Sequence, residues 1–337
     1  MSEVRLIICI SLSHLIHTMT DTDIWGKAIV RLHLIVAIVF VFQQLFPLEP
    51  LVIEDQGQVI GEVNHSAYTI PIPGVPLVDD IKLNALMDDL AKQVYFAPTN
   101  AVIDAGGRII SEQAGRALNR TLIKEKLYRY IIEGNISRLE VPLQRVHARV
   151  DSELLQSIME KKIGNYFTYY NSNNKNRSHN IGLAAKAINN TVVFPNETFS
   201  FNAVVGKRTK EKGYLRAPII VRGEASEDIG GGICQISSTL FNAVDRAGLE
   251  VIQRYSHSKS VTYVPPGRDA TVSWYGPDFS FKNKYNQPIL IRAFAHGGQV
   301  SIIICSSDMV NDKRREVPSA SKKMPEEIAK DLNANHM

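Results

Sequence analysis

Apolar positions recur along this chain with several different periods, and the changes of period mark out its elements. Between residues 28 and 46, AIVRLHLIVAIVFVFQQLF, they run almost without interruption, and Leu34 to Phe42 contains no polar residue at all. A helix that crosses a bilayer needs about 20 apolar residues. With the residues on either side, this stretch reads as a membrane anchor or a secretory apolar region. Lys27 and Arg31 lie before its core and Glu49, Glu54 and Asp55 after it. That charge asymmetry puts the bulk of the chain outside the cytoplasm. No small-residue cleavage pattern stands out, so the expectation is an uncleaved single-pass anchor in the cell membrane, with 1–27 as a cytoplasmic N-terminal segment. The competing reading is a buried helix of a soluble domain.

After a Pro-, Gly- and acid-rich exit, the period becomes helical. In DDIKLNALMDDLAKQVY (79–95), Ile81, Leu83, Leu86, Met87, Leu90 and Val94 fall on one side. A strand, a Gly-Gly turn and a second strand follow. A second helix is predicted over 120–134, with Leu122, Leu127, Tyr130, Ile131 and Ile132 inward and Gly134 past its end. Together with a strand near 137–150, these predict a small α+β domain over residues 50–155.

The Asn-rich stretch 165–180 shows no sustained apolar period and reads as a boundary or surface loop. A helix is predicted over 180–193, carrying Ile181, Ala184, Ala185 and Ile188. Short strands with intervening turns then dominate, among them APIIVRG, LEVIQRYSH, VTYVPPG, DATVSWYG, PILIRAFA and QVSIIIC. The Gly-Gly at 297–298 marks a hairpin between the last two. The pattern predicts a mixed, mainly antiparallel, β-rich domain with a few helices over 160–305. From 306 to 337 the chain is polar and charged and is expected to be a disordered tail. The fold class is therefore α+β: an anchor, a small α+β domain and a larger β-rich one.

Composition narrows the function classes. The 337 residues are 45% apolar and 21% charged, with a formal net charge of +4. That is a globular composition long enough for two domains. It offers no basic stripe interleaved with aromatics, so nucleic acid is not an expected partner. The three cysteines, Cys9, Cys234 and Cys305, make neither a disulfide framework nor a C-x-x-C redox motif. No H-x-x-x-H or zinc-like spacing occurs, so no metal or other cofactor is expected.

Cys305 ends an alternating strand and reads as a small apolar residue. Cys234 follows three glycines in GEASEDIGGGICQISSTLFNAV (223–244). Ile236, Leu240, Phe241, Val244 and Ala247 recur at helical spacing after it, with Gly248 at the stop. The thiol therefore lies at a helix N-terminus, where free N–H groups and the helix dipole favour a thiolate. Gly230, Gly231 and Gly232 permit a sharp turn and the close approach of a substrate. The alternative is a packed cysteine after an ordinary turn. The run lacks the Lys-Ser/Thr of a phosphate loop. A nucleophilic cysteine needs a base, and His257 is in the right domain at a strand end. Asp269 either orients that imidazole or satisfies a turn. Arg208 and Arg268 are candidate clamps for a substrate carboxylate, or else solvated surface residues.

From NIGLAAKAINNTVVFPNETFSFN through GGGICQISST to YSH and PPGRDATV, the segment closely resembles the VanW domain, a bacterial extracytoplasmic domain. The family commonly has Gly where this chain has Asn190 and Asn196. Residues 50–155 look like the peptidoglycan-binding domain that often precedes it. The resemblance implies a cell-wall protein. Some members look like L,D-transpeptidases that act through a cysteine, which carries over to Cys234, with His257 and Asp269 completing the catalytic set by position. It also implies that Gly230–Gly232, Gln235, Ser237 and Ser238 belong to the substrate-binding set. The expected partners are peptidoglycan stem peptides and, through the N-terminal segment, the membrane. The alternative is a non-catalytic peptidoglycan-binding or glycopeptide-resistance accessory.

Overall fold

The structure is a computed structural model that describes residues 49–322 except 73–74, 135 and 222–223. The predicted anchor at 28–46, the segment 1–27 and residues 323–337 lie outside the described residues. Among the described residues, no helix is long and apolar enough to cross a membrane. The chain divides into two compact units, residues 1–96 with 116–144, and 97–115 with 145–337.

In the first unit, β1 (Leu51–Asp55) pairs antiparallel with β2 (Gln58–Val63), and β1 also pairs parallel with β3 (Arg138–Glu140). Helices α1 (Asp80–Val94) and α2 (Arg120–Glu133) pack on this small sheet. Asp79 and Asn119 cap them by accepting the N–H groups of Lys82 and Leu122. Gly134 ends α2 at φ 64°, in the left-handed region where glycine is favoured. The buried faces are Leu83, Met87, Leu90 and Val94, and Ile123, Leu127, Tyr130 and Ile131. Ile81 is instead 84% exposed, and Leu122 and Ile132 also face solvent. Each expected stripe was too broad, because a thin sheet covers only a narrow strip of each helix.

The second unit is built on a four-stranded antiparallel sheet. Its order is β4 (Lys161–Tyr169), β12 (Gln299–Ser306), β11 (Ile289–His296) and β5 (Thr191–Val193). One face, carrying Val300, Ile302, Ile304, Ile289 and Ile291, packs into the main core beneath α4 (Lys175–Ile188) and α6 (Ile233–Arg246). The other face meets α3 (Ser152–Ile158) and the short hairpin of Val102–Ile103 with Ile109–Ile110, through Leu290, Leu155, Ile158 and Ile103. Residues 97–115 and 145–155, expected in the first domain, thus belong to the second unit and cover one face of its sheet. A second sheet, β6 (Thr198–Ser200), β10 (Ser280–Lys282) and β9 (Glu250–Gln253), stacks Phe199 on Phe281 at 5.0 Å. The helix α5 (Phe201–Val205) follows β6, and β7 (Arg216–Val221) and β8 (Glu224–Ile229) form a two-stranded ribbon leading to α6.

Asn190 and Asn196 take φ of 65° and 66°. Asparagine tolerates this left-handed conformation better than other residues with a side chain, which explains why it can stand in for glycine there. The hairpin between β11 and β12 forms as predicted, with Gly297 and Gly298 both at positive φ.

Three expectations fail. The Asn-rich stretch 165–180 is not a loop. Its first part lies in β4, with Ile163, Tyr166 and Thr168 buried, and Asn174 caps α4 by accepting the Arg177 N–H. VTYVPPG and DATVSWYG are not strands but lie in an irregular span from 254 to 279. The described part of the tail, 307–322, is packed rather than disordered. Val310 and Val317 join the core, Lys161 pairs with Asp312 at 2.6 Å, and Tyr166 donates to the Pro318 carbonyl at 2.8 Å.

Candidate active site

Helix α6 positions the site. Its hydrophobic side is interrupted by Gln235, Ser237, Ser238, Thr239 and Asn242, all fully buried. Buried polar groups must find partners, and here each partner ties the helix to a neighbouring segment. β4 approaches so closely that a Cβ on Gly164 would come within 2.7 Å of the Ala247 side chain. Thr239 and Thr168 share a hydrogen bond at 2.9 Å across this contact.

The three glycines turn the chain from β8 into α6. Gly230 and Gly232 adopt φ of 91° and 104°, and Gly232 is the N-cap. A Cβ on Gly231 would lie 2.5 Å from the Ala217 carbonyl oxygen, and one on Gly232 would lie 2.9 Å from Ile181. The glycines thus seat α6 against β7 and α4. The sequence reading had assigned them to substrate approach. Cys234 is the second residue of α6 and is half-buried. The Ile233 and Gln235 N–H groups bond to the Gly230 and Gly232 carbonyls, whereas the Cys234 N–H has no acceptor among the described residues.

The irregular span after β9 brings the rest of the site to this turn. The His257 ring comes close enough to the Cys234 sulfur for each to shift the ionisation of the other. Its Nδ1 lies 2.6 Å from Asp269 Oδ2, which also accepts the His257 backbone N–H. Both side chains are only 9% exposed. Thr271 Oγ1 lies 3.7 Å from the sulfur and the Val272 carbonyl oxygen 3.6 Å. Nδ1 is therefore committed to the carboxylate, which leaves Nε2 as the nitrogen available to the sulfur.

The three groups perturb one another in a consistent direction. Burial by itself pushes the Cys234 thiol up, but the hydrogen bond and charge of His257 outweigh it and hold the thiol below its ordinary value. Burial by itself lowers His257, yet Cys234 and then Asp269 raise it above the usual imidazole value. Burial likewise opposes ionisation of Asp269, and the N–H and ring of His257 overcome it, leaving the carboxyl lowered. Both shifts move the pair toward a thiolate and an imidazolium, with a carboxylate steadying the ring. Such a group can attack an electrophilic carbonyl and shuttle one proton.

The remaining predicted residues separate into two groups. Arg208 packs against the Gly230 turn, where an added Cβ would lie 3.2 Å from the Arg208 Cβ. The others are engaged internally. Gln235 accepts from Arg177 at 2.7 Å and donates to Thr168 and the Tyr169 carbonyl. Ser237 donates to the Ala270 carbonyl at 2.5 Å, and Ser238 donates to the Cys234 carbonyl and accepts the Ala270 N–H. These serines splice the Asp269–Val272 segment to the first turn of α6. They position the site and have no free group to offer a substrate. Arg268 is held by Asn242 at 2.8 Å and Asp245 at 2.7 Å, so it is a structural cation. Thr271 and Tyr263 were not anticipated. Tyr263 packs against the core, and burial raises its phenol strongly. Their signal in the sequence was their place between His257 and Val272. Among the described residues, no cluster of side chains could hold a metal ion.

The family described as "VanW like protein" matches residues 176–305, a span that contains α6, His257 and Asp269. YoaR of Bacillus subtilis is 53% identical over 295 residues, covering 88% of this chain and 97% of that protein. The vancomycin B-type resistance protein VanW of Enterococcus faecalis is 33% identical over 114 residues, covering 32% of this chain and 42% of that protein. No solved structure matches. The agreement with YoaR over nearly its whole length, joined to the family match across the site, shows that the chain belongs to the VanW-like family.

Proposed function

We propose that this chain is a cysteine acyl-transferase of the L,D-transpeptidase type, acting on peptidoglycan stem peptides. The observation that carries the reading is a half-buried Cys234 on the first turn of α6 beside His257, whose Nδ1 is held by Asp269 at 2.6 Å. In the reaction the thiolate attacks the carbonyl of the third stem residue. The oxyanion forms beside the Cys234 N–H at the positive end of α6. His257 gives its proton to the departing amine of the fourth residue, leaving a thioester on Cys234. An acceptor amine then attacks that thioester, His257 takes its proton, and the 3–3 crosslinked product leaves with the thiolate restored. Asp269 touches no reacting atom and is a positioning residue. No step consumes ATP, which suits a reaction outside the membrane.

The stem-peptide assignment draws on the likeness to the Enterococcus faecalis protein, whose name ties it to vancomycin resistance, and on the family resemblance. The same reading makes the 28–46 stretch the tether to the cell membrane and the first unit a wall-binding module. Incubation of the full-length chain with a disaccharide-tetrapeptide, followed by mass spectrometry, tests it. The expected product is Cys234 carrying the disaccharide-tripeptide acyl group, with one fourth-position residue released. No adduct on a chain whose Cys234 still alkylates rapidly would refute the enzymatic reading and leave a wall-binding accessory.

A further inference from the structure

The guanidinium of Arg208 is incompletely satisfied, and its stem packs on the glycine turn that leads into Cys234. Its Nη2 donates to Asn202 Oδ1 at 2.8 Å and its plane lies over the Phe201 ring at 5.8 Å. Nη1 is buried with no hydrogen-bond partner, and among the described residues no carboxylate forms an ion pair with this side chain. The acid whose charge it feels, Asp278, is already committed. Its oxygens accept from Ser200 at 2.6 Å, from the Asn202 N–H at 2.9 Å and from the Phe279 N–H at 2.8 Å. Arg268 shows the contrast, since its Nε is bonded to Asn242 and its Nη2 is paired with the Asp245 carboxylate. A buried cation without an anion is costly, and an arginine fork is completed best by a planar carboxylate.

Position favours the same conclusion. The Arg208 stem packs on Gly230, four residues before Cys234. Burial lowers its guanidinium, and Cys234 is the first of the negative groups that oppose this, so the cation is within electrostatic reach of the sulfur. A carbonyl carbon under attack by that sulfur is separated by only three bonds from the α-carboxylate carbon of the next residue. Exposed Lys207 and Lys210 add positive charge on the same segment.

We infer that Arg208 is a specificity-determining residue that binds the free α-carboxylate of the departing residue, so that the acyl donor must end one residue beyond the scissile carbonyl. This deepens the acyl-transferase reading and rests on it for the identity of the donor. It makes the protein selective for tetrapeptide stems over longer or amidated ones.

Two measurements on the full-length chain test it. The first compares thioester formation from a disaccharide-tetrapeptide and from its C-terminal amide. Wild type is expected to prefer the free acid by more than about tenfold. Arg208→Met should bring that ratio near unity, and Arg208→Lys should restore part of it. The second needs no stem peptide. The rate of Cys234 alkylation by iodoacetate is divided by its rate with iodoacetamide, with the modified peptides mapped so that Cys305 serves as the internal reference. Arg208→Met should lower this ratio about tenfold relative to wild type, and Arg208→Lys should fall between them. Equal use of the acid and the amide by wild type, or an iodoacetate ratio unmoved in a folded Arg208→Met, overturns the inference. If neither stem gives a thioester but the iodoacetate ratio still depends on Arg208, the stem-peptide reading fails and the carboxylate site stands.

Discussion

The first turn of α6 and the end of β12 each carry a free cysteine, half-buried in the same unit, and the two are driven in opposite directions. Cys305 lies opposite Leu290 and Lys162 in the sheet and packs beside Leu155 and Ile158. Burial raises its thiol, and the charges of Arg292 and Lys162 do not compensate. Cys234 suffers the same burial, yet its thiol is lowered. Partial burial therefore distinguishes nothing. What separates the two sulfurs is a neighbouring imidazole that is itself anchored to a carboxylate.

The largest expected effect removes one side of this contrast. Cys234→Ala should lower acyl transfer by on the order of 10³-fold or more, measured by muropeptide profiling with purified protein, whereas Cys305→Ala should leave it within about twofold. Next comes His257→Ala, which gives Cys234 the surroundings of Cys305. The lowered thiol of wild type means that alkylation rises with pH below the usual thiol range. Without the imidazole, only Val272 and Thr271 oppose burial, and that rise should move to higher pH, with the rate at pH 6 falling more than about tenfold. Iodoacetamide kinetics against pH would show it.

Asp269→Asn is a smaller perturbation, because the sulfur–imidazole contact can persist. The carboxylate helps raise His257, so its loss should lower the imidazole's value and narrow the ion-pair window from the alkaline side. Turnover should fall about tenfold to a hundredfold. A pH profile separates this from simple destabilisation. The folding linkage has the opposite sense. Asp269, being lowered, adds stability above the ordinary carboxyl value, and that stability is lost as pH falls through its folded value. Ser238→Ala should cost about 1 kcal/mol by thermal or denaturant unfolding, since it frees the Ala270 N–H inside the helix seat. Cys305→Ser is the mildest, at under about 1 kcal/mol in the same unfolding measurement.

The residues that could be read in advance share one feature. Their function is set by near neighbours in the chain. Cys234 announced itself through three glycines and a helical period, and the first turn of α6 followed from those alone. Asn190 and Asn196 were legible as turn residues because the left-handed conformation is a local property. Gln235 and Arg268 were misjudged for the converse reason. Their motif positions say nothing of Arg177, Thr168, Asn242 or Asp245, which hold them internally. The span 254–279 shows the same limit. Its alternating residues suggested strands, but Ala270 bonds to Ser238 on the helix, and no partner strand is present along it.

The sequence by itself determined the element types of strong period, the helix that begins at the glycine turn and the placement of a thiol on its first turn, because backbone propensity and capping act over only a few residues. The tertiary structure decided which charges meet. It joined His257 and Asp269 to a sulfur encoded far from them, withdrew Arg268 into a structural pair, left Arg208 open, and drew a polar tail onto the core. Those outcomes depend on desolvation and on contacts between distant segments, and no local pattern of residues specifies either.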